Sequence, residues 1–127
     1  MLESTIVEIC KTFRFESAHV LPHHPGKCSR LHGHSYRLEV YVTGAIREDG
    51  PARGMIEDFG TISDIIEAQI IEQFDHASLN DFMENPTAEN IVMWIGERLM
   101  PHLAGLTRLV LWETPTACAI ATREDFG

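Results

Sequence analysis

Alternation of apolar and polar positions runs through both ends of this chain and predicts β-strands there. Residues 5–19 alternate apolar side chains with charged or polar ones, and so do residues 36–44 and 109–114. Residues 117–122 form a shorter, largely apolar run after a proline. A period of two is typical of a strand with one buried face. The pattern therefore predicts two long strands near the start of the chain and two strands near its end.

The spacing of apolar residues changes in the middle of the chain. Residues 46–54 are polar and contain two glycines and a proline, which predicts a hairpin loop, and residues 55–59 are then expected to form a return strand antiparallel to the second strand. From Thr61 onward isoleucines recur at near-helical spacing, so we expect a helix to begin there. Thr87 is suited to N-cap a second helix. Strands, then two helices, then strands indicate an α+β fold with a mainly antiparallel sheet and both helices on one face.

Composition narrows the class of protein. A chain of 127 residues fits one domain, so we expect residues 1–127 to form a single unit. Three widely spaced cysteines argue against a disulfide framework. No apolar run is long enough for a membrane span and no signal-peptide pattern is visible, which predicts a cytoplasmic protein. A net charge of −9 disfavours nucleic acid or an anionic membrane as a partner, because both attract basic surfaces.

The sharpest chemical signal is the stretch from Cys28 to His34. His32 and His34 are separated by one glycine at the start of a predicted strand, so their side chains should share a face, with Cα atoms roughly 6.5–7 Å apart. His19 ends the preceding strand and could supply a third nitrogen. Three histidines without a fourth protein ligand are typical of a catalytic zinc site. Cys28 could be either that fourth ligand or a reactive thiolate beside the metal.

Two further positions carry candidate chemistry. Asp75 could orient the imidazole of His76, and if His76 reached Cys28 the three would match the nucleophile, base and orienting group of a thiol enzyme. An Asp that caps a turn beside a surface His is the plainer interpretation. Glu113 interrupts an apolar strand and could accept paired N–H donors from a planar heterocycle, or it could simply lie at the exposed strand end.

Six segments occur together in the order of a known family. They are Phe15-Glu-Ser-Ala-His19, Cys28-x3-His32-Gly-His34, Met55-Ile-Glu-Asp-Phe-Gly60, Asp75-His-Ala-Ser-Leu-Asn80, Pro86-Thr-Ala-Glu-Asn90 and Trp112-Glu-Thr-Pro115. Over essentially the whole chain the sequence resembles the 6-pyruvoyl-tetrahydropterin synthase superfamily. The three-residue spacing after Cys28 is similar to the branch that forms 6-carboxytetrahydropterin in queuosine biosynthesis, since the pyruvoyl-forming branch typically has a longer spacing.

The resemblance implies a fold, an assembly and a reaction. The fold would be the tunnelling fold or T-fold, in which subunits join their sheets into an oligomeric barrel. The common assembly is a homo-hexamer, a dimer of trimers, with active sites between subunits. The substrate would be 7,8-dihydroneopterin triphosphate, and the products 6-carboxy-5,6,7,8-tetrahydropterin, acetaldehyde and triphosphate.

The resemblance also implies roles for individual residues. His19, His32 and His34 would bind Zn²⁺. Cys28 would be the proton-abstracting thiolate, with Asp75 and His76 completing a relay. Glu113 would anchor the pterin ring, helped by Thr87 and Glu89. Independently of the family, the charge and position of Lys27 and Arg30 predict contacts to the triphosphate. Ser17 stands where alanine is common in the family, and no consequence is expected.

Several alternatives remain open from the sequence. Within the family, the chain could form 6-pyruvoyl-tetrahydropterin or cleave dihydroneopterin in an aldolase-type reaction. In a different class, Cys28 and the three histidines could close a structural, non-catalytic zinc site. A thiol hydrolase without a metal would use Cys28, His76 and Asp75, but it would leave the remaining histidines unexplained.

Overall fold

Two long antiparallel strands form the framework of the molecule. In the computed structural model, which describes residues 5–126, β1 spans Ile6–His19 and β2 spans His32–Ala45. They pair in an uninterrupted register that sets Ile6 opposite Ala45 and His19 opposite His32. On β1 the odd-numbered residues from Phe13 onward are buried and the even-numbered ones mostly face solvent, as the alternation predicts.

Within residues 5–126, the sheet has five strands in the order β3-β1-β2-β4-β5. β4 (Leu106–Thr114) pairs antiparallel with β2, and β5 (Ala117–Thr122) pairs antiparallel with β4. β3 (Ala77–Ser78) is short and lies parallel to the end of β1. The prediction of an α+β fold with a mainly antiparallel sheet is confirmed.

The prediction of a return strand over residues 55–59 is wrong. The backbone N–H of Arg47 donates to the carbonyl of Met55, and the N–H of Gly54 donates to the carbonyl of Arg47, so this segment closes a loop without entering the sheet. The third strand is instead β3, inside a segment expected to be a polar loop. Its pairing partner lies about 60 residues earlier in the chain, which no local pattern can reveal.

The first helix begins two residues earlier than expected. Asp58 is its N-cap, because the Asp58 carboxylate accepts a hydrogen bond from the Gly60 N–H at 2.7 Å. α1 (Phe59–Ile66) continues through a π-helical segment (Glu67–Ile71) into a last turn, α2 (Glu72–Phe74). The N-cap of α3 (Ala88–Leu99) is Thr87, as predicted, with its hydroxyl accepting from the Asn90 N–H.

One apolar core lies between the helices and one face of the sheet. Its largest fully buried side chains include Phe15 and Tyr36 from the sheet, Phe74 from the first helix and Ile91 from α3. The rings of Phe15 and Tyr36 are stacked, with centroids 5.0 Å apart. Among residues 5–126, no helix is long and apolar enough to cross a membrane. At the end of this face, His19 is fully buried, whereas His32 and His34 are only partly buried.

Candidate metal centre and active site

The three predicted histidine ligands lie together at the end of the β1–β2 ribbon. His19 and His32 are direct register partners, and His34 follows two residues along the same face of β2. One nitrogen from each ring lies within 4.8 Å of the other two. His19 is fully buried, while His32 and His34 are partly buried. The arrangement gathers three imidazole nitrogens around a volume that one ion can occupy.

Backbone carbonyls orient two of these rings. The Nδ1 of His19 lies 2.8 Å from the carbonyl oxygen of Pro86, and the Nδ1 of His32 lies 2.7 Å from that of Arg30. A carbonyl can only accept, so each Nδ1 carries the proton and each Nε2 carries a lone pair. Carbonyl contacts of this kind hold histidine ligands in the tautomer and orientation that metal binding needs.

The remaining nitrogens fit a bound cation. The Nε2 atoms of His19 and His32 face each other at 2.9 Å, and two lone pairs at that distance repel unless a positive charge lies between them. The Nε2 of His34 is buried without a hydrogen-bond partner among the described residues. Buried polar atoms without a hydrogen-bond partner are rare in native proteins, so this one calls for an explanation. A metal ion bound by all three Nε2 atoms would satisfy each of them.

The surroundings of His19 favour a neutral imidazole there. Burial lowers the pKa of His19, because a charged ring would lose its hydration there. Tyr36 lies beneath the cluster, with its hydroxyl oxygen 3.3 Å from Nδ1 of His19. Burial also raises the pKa of Tyr36 far above its usual range, so the phenol stays protonated. The alternation along β2 predicted only that Tyr36 lies on a buried strand face, and it did not predict that Tyr36 lies below the three histidines.

Cys28 lies beside this cluster in sequence but outside it in space. It sits in a short 3₁₀ turn (Lys27–Ser29), is partly buried, and is not one of the residues whose ligand atoms converge within 4.8 Å. Its carbonyl accepts from the N–H of Leu21, which closes the loop between β1 and β2. This geometry gives no support to a four-ligand site that includes Cys28. Lys27 and Arg30 are exposed on the same loop.

Asp75 and His76 form a pair at the opposite edge of β1. The Nδ1 of His76 lies 3.0 Å from one carboxylate oxygen of Asp75, and the other oxygen accepts from the backbone N–H of Glu16 at 2.8 Å. That N–H stabilises the anion and lowers the pKa of Asp75, with a smaller contribution from His76. His76 adopts φ 59°, a left-handed backbone conformation that is uncommon for a residue with a side chain. The imidazole is largely exposed, so its free edge is available to another group.

Two polar side chains that were given no role hold this region in position. The hydroxyl of Ser17, which is buried, donates to the carbonyl of Phe74, immediately before the Asp75–His76 pair. The side-chain amide of Asn80 accepts from the N–H of Val20 at 2.8 Å and donates to the carbonyl of the same residue at 2.9 Å. Ser17 thus ties β1 to the end of the first helix, and Asn80 holds the backbone that follows His19.

Glu113 lies close to the histidine cluster. It is partly buried beside an irregularity in the pairing of β4 with β5, and its carboxylate is 3.9 Å from Nε2 of His34. It lines one cavity of about 570 Å³ together with His34, and a second of about 630 Å³ together with Glu89. The hydroxyl of Thr87 caps α3 and is therefore already engaged.

A third cavity is lined by one residue of the histidine cluster and one residue of the Asp75–His76 pair. His34 and His76 both line it, together with Ser17 and Ala77. Cys28, Lys27 and Arg30 line none of these three cavities. Within this one chain, the described residues therefore bring His76 and Glu113 toward His34 but do not bring Cys28 into the same cavity.

Comparison with known proteins finds enzymes of pterin metabolism that are similar to this chain. Residues 8–124 match the family model described as 6-pyruvoyl tetrahydropterin synthase. The chain is 42% identical over 115 residues to 6-carboxy-5,6,7,8-tetrahydropterin synthase of Synechocystis sp., covering 87% of this chain and 89% of that protein. It is 38% identical over 102 residues to dihydroneopterin monophosphate aldolase of Pyrococcus furiosus, covering 78% of this chain and 82% of that protein.

A solved structure supports the fold. The structure of Caenorhabditis elegans 6-pyruvoyl tetrahydropterin synthase superposes with a TM-score of 0.84 at 23% identity, covering 96% of this chain and 99% of that one. At this identity the superposition supports the fold alone. That fold is the T-fold, which the sequence resemblance implies.

Proposed function

The chain belongs to the 6-pyruvoyl tetrahydropterin synthase family, and on that premise we propose that it acts as a 6-carboxy-5,6,7,8-tetrahydropterin synthase in queuosine biosynthesis. It would convert 7,8-dihydroneopterin triphosphate to 6-carboxy-5,6,7,8-tetrahydropterin, acetaldehyde and triphosphate. The observation that carries this proposal is the convergence of three imidazoles within 4.8 Å of one another, with the carboxylate of Glu113 3.9 Å from Nε2 of His34. This arrangement sets a group able to bind a metal beside a carboxylate able to recognise a heterocycle.

We propose that His19, His32 and His34 hold Zn²⁺. Three neutral imidazoles suit zinc, and the open coordination position of a three-histidine site is the one a substrate occupies. Bound zinc would act as a Lewis acid on the side-chain oxygens of the substrate. The carbonyls of Pro86 and Arg30 contribute by keeping the rings of His19 and His32 fixed.

Cys28 would remove a proton from the substrate side chain as a thiolate. Asp75 would keep His76 oriented so that the imidazole can take up or return protons. Because Cys28 and His76 line no common cavity in one chain, the proposal includes an active site between subunits of a homo-oligomer, with a dimer of trimers as the expected assembly.

Glu113 would bind the pterin ring. Its carboxylate can accept two parallel hydrogen bonds from the ring N–H and the adjacent amino group of a pterin. Glu89 lines the neighbouring cavity with Glu113 and would supply a further acceptor, while Thr87 would contribute chiefly by capping α3.

A second candidate is an aldolase reaction on a dihydroneopterin monophosphate, favoured by the relative from Pyrococcus furiosus. Formation of 6-pyruvoyl-tetrahydropterin is a third outcome on the same site. The structural zinc module loses support because Cys28 stands outside the histidine cluster. A metal-free thiol hydrolase leaves the convergence of three imidazoles unexplained.

The experiment is anaerobic turnover of 7,8-dihydroneopterin triphosphate by the zinc-loaded protein, with analysis of acetaldehyde and of the pterin product. We expect acetaldehyde and a carboxy-pterin in equal amounts, and loss of both in Cys28→Ala with zinc retained. A hydroxymethyl-pterin would identify the aldolase, and a pyruvoyl product without acetaldehyde would identify the sister branch. No turnover, together with a Cys28 that resists alkylation, would contradict the enzyme proposal.

A further inference from the structure

The first helix is followed by a backbone conformation that rarely carries a side chain. α2 ends at Phe74, Asp75 continues in an extended conformation (φ −66°, ψ 127°), and His76 adopts φ 59°. Helices often end with a residue in this left-handed conformation, and that residue is usually glycine, because a Cβ makes the conformation unfavourable. Among residues 5–126, His76 is the only residue other than glycine with a positive φ. An imidazole at this position therefore has a conformational cost that other contacts must offset.

The contacts that hold this helix ending come from β1. In the common ending, the N–H groups that follow a helix return to its last carbonyls. Here the His76 N–H donates instead to the carbonyl of Glu16, and the carbonyl of Phe74 accepts from the hydroxyl of Ser17. The N–H of Glu16 donates to the Asp75 carboxylate at 2.8 Å. Two consecutive residues of β1 thus bind three consecutive residues at the end of the helix.

Ser17 makes the one contact of this set that depends on a β1 side chain. The contacts of Glu16 use its backbone and would be available to any residue except proline at that position. The hydroxyl of Ser17 is buried, with only 5% of the residue exposed. An alanine there would leave the Phe74 carbonyl without its donor. Because an unpaired buried carbonyl is costly, the peptide that follows Phe74 would rotate to find another partner.

We propose that Ser17 is a positioning residue, whose hydroxyl fixes the Phe74 carbonyl and thereby keeps His76 in its left-handed conformation. In that conformation the Nδ1 of His76 lies 3.0 Å from the Asp75 carboxylate. Ser17 lies two residues before His19 on the same face of β1, so it ties the segment that carries His76 to the strand that carries a candidate metal ligand. The consequence for catalysis rests on the proposed function, in which His76 transfers protons.

The first test measures the conformation at position 76 through stability. Glycine is more stable than alanine at a left-handed position, whereas alanine is more stable at an ordinary one. His76→Gly should therefore have a higher urea midpoint than His76→Ala when Ser17 is present. In a Ser17→Ala background this advantage of glycine should disappear or reverse, because the backbone can relax to a negative φ. A double-mutant cycle isolates the effect.

Three controls accompany the comparison. Ser35→Ala removes an exposed hydroxyl from the register partner of Glu16 and should leave the advantage of glycine at position 76 intact. At Glu72, which is exposed in α2 with φ −58°, alanine should be more stable than glycine with or without Ser17. Ser17→Thr keeps the hydroxyl and should preserve the advantage. An advantage of equal size in the presence and absence of the Ser17 hydroxyl would overturn the proposal.

The second test measures what this conformation does for turnover. In the zinc-loaded protein, Ser17→Ala should lower kcat about tenfold, part of the roughly 10²–10⁴-fold that a positioned acid–base group supplies. KM should stay within about twofold, because the imidazole transfers protons and does not bind the substrate. Zinc content should remain at the wild-type level, and Ser17→Thr should restore most of kcat. An unchanged kcat, or a loss of zinc that accounts for the lower kcat, would also overturn the positioning role.

The positioning role and the proposed function fail separately. The stability comparison needs no substrate, so it reports on the conformation of His76 even if the wild type forms no carboxy-pterin. Turnover by the wild type, together with an advantage of glycine that does not depend on Ser17, would keep the function and remove the positioning role. An advantage that depends on Ser17, in a protein without turnover, would keep the conformational role and remove the reaction.

Discussion

The Nε2 atoms of His19 and His32 lie 2.9 Å apart, although each ring turns its Nδ1–H to a backbone carbonyl. Two unprotonated nitrogens at that distance are favourable only around a cation. The contact joins residues that are register partners at the end of the central ribbon. The ribbon and the two carbonyls together hold these imidazoles in the arrangement of a candidate metal site.

Metal binding should depend on this cluster and stabilise the fold. Purified protein is expected to hold one zinc per chain by elemental analysis, and His32→Ala and His34→Ala are expected to lose it. Zinc at a hundredfold excess over its dissociation constant should stabilise the wild type by about 2.7 kcal/mol, which thermal unfolding will report. His102→Ala serves as the control, because it removes an exposed histidine that is not part of the cluster. Full zinc occupancy in His34→Ala would contradict the assignment.

Asp75 should make stability depend on pH in a defined direction. The Glu16 N–H lowers the pKa of Asp75 in the folded state, so its stabilisation is present above the unfolded value of about 3.9 and is lost as pH falls through the lower folded pKa. Asp75→Asn should therefore be less stable than wild type at pH 7, with a gap that closes toward pH 3. Urea unfolding at both pH values checks this. Asp81→Asn, which also replaces a carboxylate with an amide but at an exposed position, serves as the control.

Ser17 should matter more than a neighbouring serine that also forms a hydrogen bond. Ser17→Ala leaves the Phe74 carbonyl without its buried donor, which should cost about 1–3 kcal/mol in the free energy of unfolding. Ser35→Ala removes an exposed contact to Glu16 and should cost no more than about 0.5 kcal/mol. Urea denaturation of both variants gives the comparison. Equal costs would show that the hydroxyl of Ser17 is not part of what holds the Asp75–His76 segment.

Replacing Gly96 in α3 with alanine should destabilise the protein, although a change from glycine to alanine usually stabilises a helix. A Cβ at this position would lie 2.1 Å from the ring of Phe126, so Gly96→Ala should destabilise by about 1–3 kcal/mol despite the better helix propensity of alanine. In a Phe126→Ala background the clash is gone, and the same change should become neutral or stabilising by up to about 1 kcal/mol. A double-mutant cycle by chemical denaturation measures the difference. The same cost in both backgrounds would exclude the ring as its cause.

The alternation of apolar and polar residues along the chain was sufficient to predict part of this architecture. It predicted the strands that became β1, β2, β4 and β5, because a period of two depends only on the local backbone. It also predicted that His32 and His34 share a face, since residues two apart on a strand do so in any fold. The N-cap role of Thr87 followed from side-chain chemistry within one helical turn.

Other features depended on pairing between distant segments. Residues 55–59 have a strand-like composition, yet Asp58 caps a helix there, and the strand beside β1 is the two-residue β3. The roles of Ser17 and Asn80 could not be read from local sequence, because each bonds a backbone group about 60 residues away. Hydrogen bonds at that separation exist only after the chain has folded.

Residue types and their spacing were enough to indicate which side chains could bind a metal and which strand face would carry them. The pairing of His19 with His32, and the contact of the Pro86 carbonyl with the His19 ring, are visible only in the folded chain. Residue type and hydrophobic period are local properties of the chain. The strand register, and which side chains come close to one another, are set by the packing of the whole core. In that core, contacts between distant segments compete with one another.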